Sequence, residues 1–435
     1  MSTIVFSLVI LGALLLSLAT GLWIALSLAF TGFVAMVFVH PAPGVFLAAA
    51  LWESIDSWTL AALPMFIWMG EILFRTRLSA ELFNGLSPWV RRVPGGLLHV
   101  NILACGIFGS VAGSSAATCA TVSKIALPEL QRRGYDRGTA IGSLATAGTL
   151  GILIPPSITM VIYAIAADVS IIRVFIAGFI PGLMVMLLFS GYIAVWALMN
   201  PDKQPALEPK LSLSAKLKQS VQLIPCIILV VATIGSMVVG WATATEAAAF
   251  GVAGSLVLAA TTRSLTWSSF VESLYGATRL SCMVMFILGA AAFLTKALAL
   301  AGVPIALATF VDSLHLGPIG LILVLTVIYV ILGTALDGVS MIVLTTAIVV
   351  PLVQKAGFDL VWFGIFIVLL VEISEITPPV GFNLFVMQTM TGQEQTQVAK
   401  AALPFFFMLV IAIVLITLFP VTLVTGLPDM LLSRK

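Results

Sequence analysis

The chain has 435 residues and a formal net charge of +2; 61% of its residues are hydrophobic and 9% charged, and the mean hydropathy is +1.18. A soluble globular domain carries about 25% charged residues, so that class is excluded. The alternating ~10-residue segments of an outer-membrane barrel are missing too. No basic tract suggests nucleic acid. Cys105, Cys119, Cys226 and Cys282 lack metal-type spacing and read as small, buried apolar side chains.

Apolar runs near the ~20 residues that span a bilayer recur from end to end. The opening stretch, MSTIVFSLVILGALLLSLAT, lacks a basic n-region and a small-residue cleavage site, so it reads as a membrane helix over 3–19. Further helices are predicted at 21–39 and 58–74, then a helical hairpin over about 94–133. A helix over about 138–166 is interrupted at Pro155-Pro156, and another follows at 172–199. The longest polar stretch, NPDKQPALEPKLSLSAKLKQ (200–219), reads as a linker. Beyond it come helices at 221–239, 242–262 and 280–300, a hairpin over about 317–353, a second interrupted helix over about 360–390, and a helix at 401–426.

The second series copies the first. Phe66 in MFIWMG and Phe286 in MFILG are offset by 220, as are Phe30 and Phe250. Pro128 and Pro351 are offset by 223, as are the pairs Pro155-Pro156 and Pro378-Pro379. Residues 1–199 and 220–435 are therefore predicted to be two repeats. If each hairpin returns to its own side, each half crosses five times, and an odd count inverts one repeat against the other, a common transporter architecture.

Charge supports that topology. Arg75, Arg77, Arg91 and Arg92 precede the first hairpin, and Arg132, Arg133 and Arg137 follow it. Lys203, Lys210, Lys216 and Lys218 lie in the linker, with Arg263 and Arg279 beyond. These positions are expected on the cytoplasmic side. The second hairpin, flanked by Asp312, His315, Lys355 and Asp359, is expected to enter from the other face, with both termini outside. The first tip, GSVAGSSAAT, has no charged turn, which favours a re-entrant hairpin over a full crossing.

Two successive prolines remove a backbone donor and clash with the preceding turn, so both interrupted helices should open. Unpaired backbone groups are tolerated at membrane depth only where protein buries them or they line a cavity. Freed carbonyls suit a cation and helix N-termini an anion. At offset 223, Ser114 falls opposite Asp337 and Ser115 opposite Gly338. Each tip is therefore paired with its own half's break as a candidate sodium site: Gly113, Ser114 and Ser115 with Thr149 and Pro155, and Asp337 and Gly338 with Thr377 and Pro378. Hard oxygen ligands suit such a cation, and Asp337 is the foremost candidate because an ionisable group at membrane depth marks function by default. Its alternative role is a helix cap. Ser114, Ser115, Ala116, Ser157, Gly381 and Asn383 are candidate substrate contacts. Glu372 and Glu375 could bind a cation or proton, or pair with basic groups. Glu246 could fix one helix to another. Lys124 could attract an anion, pair with Glu129 or snorkel, and Lys296 is expected to snorkel. His40, His99 and His315 are isolated. No nucleotide-binding motif appears, so ATP should not drive the protein directly. Ser114 and Ser115 have no partner His, so an enzyme is not expected.

LPMFIWMGEIL (63–73), GSVAGSSAAT (109–118), GILIPPSI (151–158), ATATEAAAFGV (242–252), GTALDGVSMIVLTTAIVVP (333–351) and EITPPVGFNLFV (375–386) together resemble the large membrane subunit of TRAP (tripartite ATP-independent periplasmic) transporters. Ala244, where that family often has proline, is a minor departure. The resemblance covers essentially the whole chain. It implies a multi-pass protein of the bacterial inner membrane that takes up organic acids such as C4-dicarboxylates or sialic acid with sodium. It also implies a periplasmic substrate-binding protein and a small four-helix membrane subunit, expected here as a separate chain because no room for it precedes residue 1. An elevator mechanism is implied as well, with hairpins and broken helices as the transport domain and the other helices as scaffold. The alternative is a sodium/anion symporter of the same architecture that works without a binding protein.

Overall fold

The computed structural model describes residues 3–76, 78–205, 211–303, 305–306, 309, 317–334 and 336–432. Arg77, Lys210, Asp312 and His315, used above for topology, lie outside the described residues. Every regular element described is helical, as lipid requires of a chain whose backbone donors and acceptors must be paired within each segment. In chain order these are α1 (Thr3–Ala19), α2 (Ile24–Val37), α3 (Pro43–Ile55), α4 (Ala62–Phe74), α5 (Leu78–Val90), α6 (Leu98–Ala112), α7 (Ser115–Arg132), α8 (Arg137–Ala147), α9 (Leu150–Leu153), α10 (Ile158–Ala166) and α11 (Ile171–Met199). Then come α12 (Leu213–Ser220), α13 (Ile224–Val239), α14 (Ala244–Thr261), α15 (Trp267–Leu300), α16 (Pro318–Gly333), α17 (Gly338–Lys355), α18 (Leu360–Glu375), α19 (Phe382–Thr391), α20 (Gln395–Leu418) and α21 (Gly426–Leu432). Among the described residues six helices are long and apolar enough to cross a membrane, or eight if each of two bent pairs is one span.

The helices pack in two groups. In one, α15 lies against α2, α3 and α4, with α1 on α2, α14 on α4 and α13 on α14. The other contains α6 to α11 and α16 to α20. Contacts of α4 with α6 and α10, and of α15 with α17, join the groups. Both predicted hairpins are helix–turn–helix pairs, α6–α7 and α16–α17, and both double-proline stretches lie in irregular backbone between helices. Pro128 and Pro351 do not interrupt α7 and α17.

Several expectations need correction. Helices α3 and α5 were missed. Only Ala50 of α3 is buried, and α3 meets α4 in a bend of 59°, so its pattern lacks one clean buried face. The helix predicted at 280–300 begins at Trp267, where Thr266 and Ser269 form a reciprocal cap. The linker contributes to a helix: Ser212 caps α12, and Trp89 Nε1 donates to Ser220 Oγ at its end at 2.7 Å. The last predicted span starts earlier and ends at Leu418.

The charged side chains are also resolved. Lys296 does not snorkel free but pairs with Glu53. Glu246 caps its own helix rather than joining two: its Oε2 accepts from the Thr243 N–H at 2.8 Å, and Thr243 Oγ1 accepts from Glu246 N–H. Glu129 takes Arg132 at 2.9 Å and Arg133 at 2.6 Å and leaves Lys124 exposed. Cys105, Cys119 and Cys226 are buried as expected, but Cys282 is exposed.

Candidate functional site

Each hairpin turn is built by a cap. Gly113 ends α6 with φ +61°, a left-handed conformation open to glycine. Ser114 then starts α7, its Oγ accepting from Ala117 N–H and its carbonyl accepting from Thr118 Oγ1 at 2.7 Å. At the equivalent turn Asp337 starts α17: Oδ2 accepts from Ser340 N–H at 3.2 Å and Oδ1 accepts from Ser340 Oγ. Asp337 is therefore a helix cap, the alternative role assigned to it, and its half-buried carboxylate lies within electrostatic reach of Glu375.

The first tip packs against the first break. A methyl group at Gly113 would lie 2.9 Å from Ile158 Cγ1, at the start of α10. One at Gly151 would lie 2.8 Å from Thr118 Oγ1 and 3.2 Å from the Ser114 carbonyl, and one at Gly109 would lie 2.4 Å from Gly151 Cα. Pro155 and Ser157 are buried there. Ser157 caps α10, accepting from Met160 N–H at 3.4 Å and donating to the Ile152 carbonyl at 2.6 Å. The second tip packs against α18, just ahead of the second break: a methyl at Gly338 would lie 2.3 Å from Val371 Cγ1, and one at Gly333 2.2 Å from Ser374 Cβ.

The two halves exchange elements here. After the first break α10 leaves its own hairpin and packs on α17; after the second, α19 packs on α7. Asn383, near the start of α19, shows what this crossing satisfies. The chain tightens after α8, with Thr149 N–H donating to Thr146 carbonyl, so the Ala145 carbonyl loses its helical partner. Asn383 Nδ2 donates to it at 2.8 Å. A methyl at Gly148 would lie 3.0 Å from Asn383 Nδ2 and 2.6 Å from Cys119 Cβ, so Gly148 abuts both.

Thr149 is buried and its hydroxyl donates to the Thr146 carbonyl at 2.8 Å. Beside it lies Glu372 of α18, its equivalent at offset 223. Neither Glu372 nor Glu375 pairs with a basic group among the described residues, and Glu372 is fully buried with both oxygens unpartnered. Ser115 Oγ, Asn383 Oδ1 and Glu375 Oε2 are likewise buried without partners. An unpaired buried acceptor costs about 1–3 kcal/mol, so this cluster is where a donor or cation would be accommodated. Ala116 is half-buried at the same turn. The oxygens of the cluster belong to hydroxyl, amide and carboxylate groups, the hard oxygen chemistry that suits sodium.

The remaining predicted residues lie at the second break. Thr377 Oγ1 donates to Ile373 carbonyl at 2.6 Å within its own helix end. Pro378 is exposed, and Gln395 Nε2 holds the adjoining Pro379 and Val380 carbonyls at 2.8 and 2.7 Å. Gly381, with φ +43°, starts α19 without a side-chain cap. The meeting of Thr149 with Glu372 escaped sequence reasoning, although both residues occupy one repeat position and the offset carried the signal. The Gln395 contacts had no such signal.

The family model for the tripartite ATP-independent periplasmic transporter, DctM component, matches residues 11–422. The chain belongs to this family of TRAP transporter large permeases. The C4-dicarboxylate TRAP transporter large permease protein DctM of Pseudomonas aeruginosa is 33% identical over 91% of this chain and 92% of that relative. The isethionate TRAP transporter permease protein DctMQ of Oleidesulfovibrio alaskensis is 30% identical over 94% of this chain but only 64% of its own length. The YdaH transporter of Alcanivorax borkumensis, a crystal structure, shares the fold at a TM-score of 0.63 with 12% identity, covering 86% of this chain and 88% of that one. This large permease is thus a multi-pass transporter subunit, and the cluster between its two breaks is the candidate site.

Proposed function

We propose that this large permease carries out sodium-coupled uptake of a small organic anion, such as a C4-dicarboxylate, sialic acid or a related carboxylate, across the bacterial inner membrane. A periplasmic binding protein delivers the anion, and a small membrane subunit works beside the permease. Relatives named for a C4-dicarboxylate and for isethionate support an anionic substrate. The observation that carries the reading is the meeting of both hairpin turns with the broken helices around buried, unpartnered oxygens.

In this reading residues 1–199 and 220–435 are inverted repeats joined by a cytoplasmic linker at 200–219, and both hairpins are re-entrant. Sodium binds at the tips through Gly113, Ser114, Ser115, Thr149 and Pro155, and through Asp337, Gly338, Thr377 and Pro378. Ser114, Ser115, Ala116, Ser157, Gly381 and Asn383 hold the anion, with N–H groups at the starts of α7, α10 and α19 supplying favourable dipoles. The group containing α6–α11 and α16–α20 moves as an elevator against the group around α15. Coupling follows if sodium raises anion affinity, a reciprocal free energy between the two sites.

The test is uptake into vesicles holding the permease, its small subunit and the binding protein, with and without a sodium gradient. Uptake indifferent to sodium would refute the coupling. Transport without the binding protein would favour the simpler symporter. Asp337→Asn separates two roles, because asparagine caps helices as well as aspartate does. It should keep the fold and weaken sodium dependence, whereas Glu246→Gln should leave that dependence in place.

A further inference from the structure

The second break has two electrically opposite ends. Helix α18 closes at Glu375, so its last carbonyls and that carboxylate make one end negative. Helix α19 opens at Gly381 with no side-chain cap, so no side chain takes its first N–H groups, and they make the other end positive. The ends are close: a methyl at Gly381 would lie 3.0 Å from the Thr377 carbonyl oxygen. Pro378 to Val380, between them, are exposed, which leaves the gap accessible.

Glu375 is half-buried, its Oε2 is buried without a partner, and no basic group among the described residues pairs with it. Two more acceptors of the cluster are unanswered. Asn383 Oδ1, in the first turn of α19, and Ser115 Oγ, at the start of α7, are buried without a donor on side chains 0% and 4% exposed. Cys119 ties them to Glu375. It lies one helical turn beyond Ser115, it is within electrostatic reach of Glu375, and it shares the Gly148 contact with Asn383.

What the cluster lacks is a positively charged donor. An ionised carboxylate accepts hydrogen bonds and offers none, so it cannot satisfy these oxygens, and the Glu375 charge repels it. An ammonium group offers three N–H donors and the opposite charge. The first half has nothing equivalent, because at offset 223 Glu375 falls opposite Ile152, which is buried and apolar. In the sodium reading one ion lies with Thr149, beside Glu372, and one with Asp337; Glu375 belongs to neither set.

We propose that the second break selects an organic acid that also carries a positively charged nitrogen, Glu375 holding the nitrogen and the open N–H groups at the start of α19 holding the carboxylate. The proposal rests on the transport reading and narrows its substrate class to acids with a cationic nitrogen, such as amino acids.

The full chain, purified in neutral detergent, would be titrated with pairs of acids that differ by one ammonium group: succinate and aspartate, glutarate and glutamate, acetate and glycine. Affinity would be read from the thermal midpoint. In sodium chloride the amino member of at least one pair should bind about tenfold more tightly, the effect expected of a charge-assisted hydrogen bond. Glu375→Gln should remove that preference, and Glu375→Asp should keep part of it. Equal affinity within every pair, or no binding of any amino member, by the unaltered chain overturns the proposal even if a variant fails to fold. A preference that persists in folded Glu375→Gln also overturns it. If Glu375→Gln instead abolishes the rise in midpoint given by sodium chloride alone, Glu375 is a sodium ligand and the assignment is overturned. The two readings fail separately. Sodium-dependent binding that ignores the ammonium group sinks this proposal and spares the coupling, whereas a preference of the same size in potassium chloride supports this proposal and counts against the coupling.

Discussion

The two breaks occupy the same place in a repeated sequence, yet they are built differently. The first is enclosed: Pro155, Pro156 and Ser157 are buried, Ser157 caps the following helix, and the chain tightens already at Gly148–Thr149. At the second break α18 runs unbroken to Glu375, Pro378 to Val380 are exposed, and a glycine with no side chain begins α19. The prolines explain what the breaks share. The neighbours explain the difference, because Gly148, Thr149 and Gly151 correspond to Val371, Glu372 and Ser374. Small residues let α6 and α9 touch backbone to backbone, whereas larger ones keep α18 a continuous rod with a carboxylate on the facing side. The lesson is that a repeat can conserve where a helix stops without conserving what surrounds the stop.

That contrast can be broken by experiment. Gly109→Ala puts a methyl 2.4 Å from Gly151 Cα, a backbone contact that cannot rotate away. Overpacking of this sort costs up to ~3 kcal/mol, so the thermal midpoint in detergent should fall most for this variant. A midpoint equal to the parent's would mean the first break is not enclosed. Asn383→Leu leaves the Ala145 carbonyl buried and unpaired, a cost of about 2 kcal/mol, and it should lower both the midpoint and uptake. Ser157→Ala removes the cap of α10 at about 1 kcal/mol, read by the same unfolding measurement. Gln395→Ala should cost least, below about 1 kcal/mol, because its bonds to Pro379 and Val380 are exposed. Its effect should appear chiefly as faster amide exchange over 376–382. If Gln395→Ala destabilises more than Ser157→Ala, the second break is the more constrained of the two and the comparison fails.

The sequence by itself determined the membrane class, both interrupted helices and both helix–turn–helix pairs. Hydropathy, proline and the offset between halves are local properties, and no packing partner overrides them. It could not determine α3, which buries only Ala50, whereas α5 was legible in the apolar repeat Leu78, Leu82, Leu86 and Val90 and was overlooked. It identified Asp337 as an oxygen donor at a turn, but only the fold assigned that side chain to the Ser340 N–H and brought it within electrostatic reach of Glu375. The tertiary structure alone decided that α10 crosses to α17 and α19 to α7, that Asn383 answers the Ala145 carbonyl, and that Thr149 lies beside Glu372. Those contacts join residues more than two hundred positions apart. Their partners are chosen by which buried donors and acceptors the chain leaves open once its helices have packed.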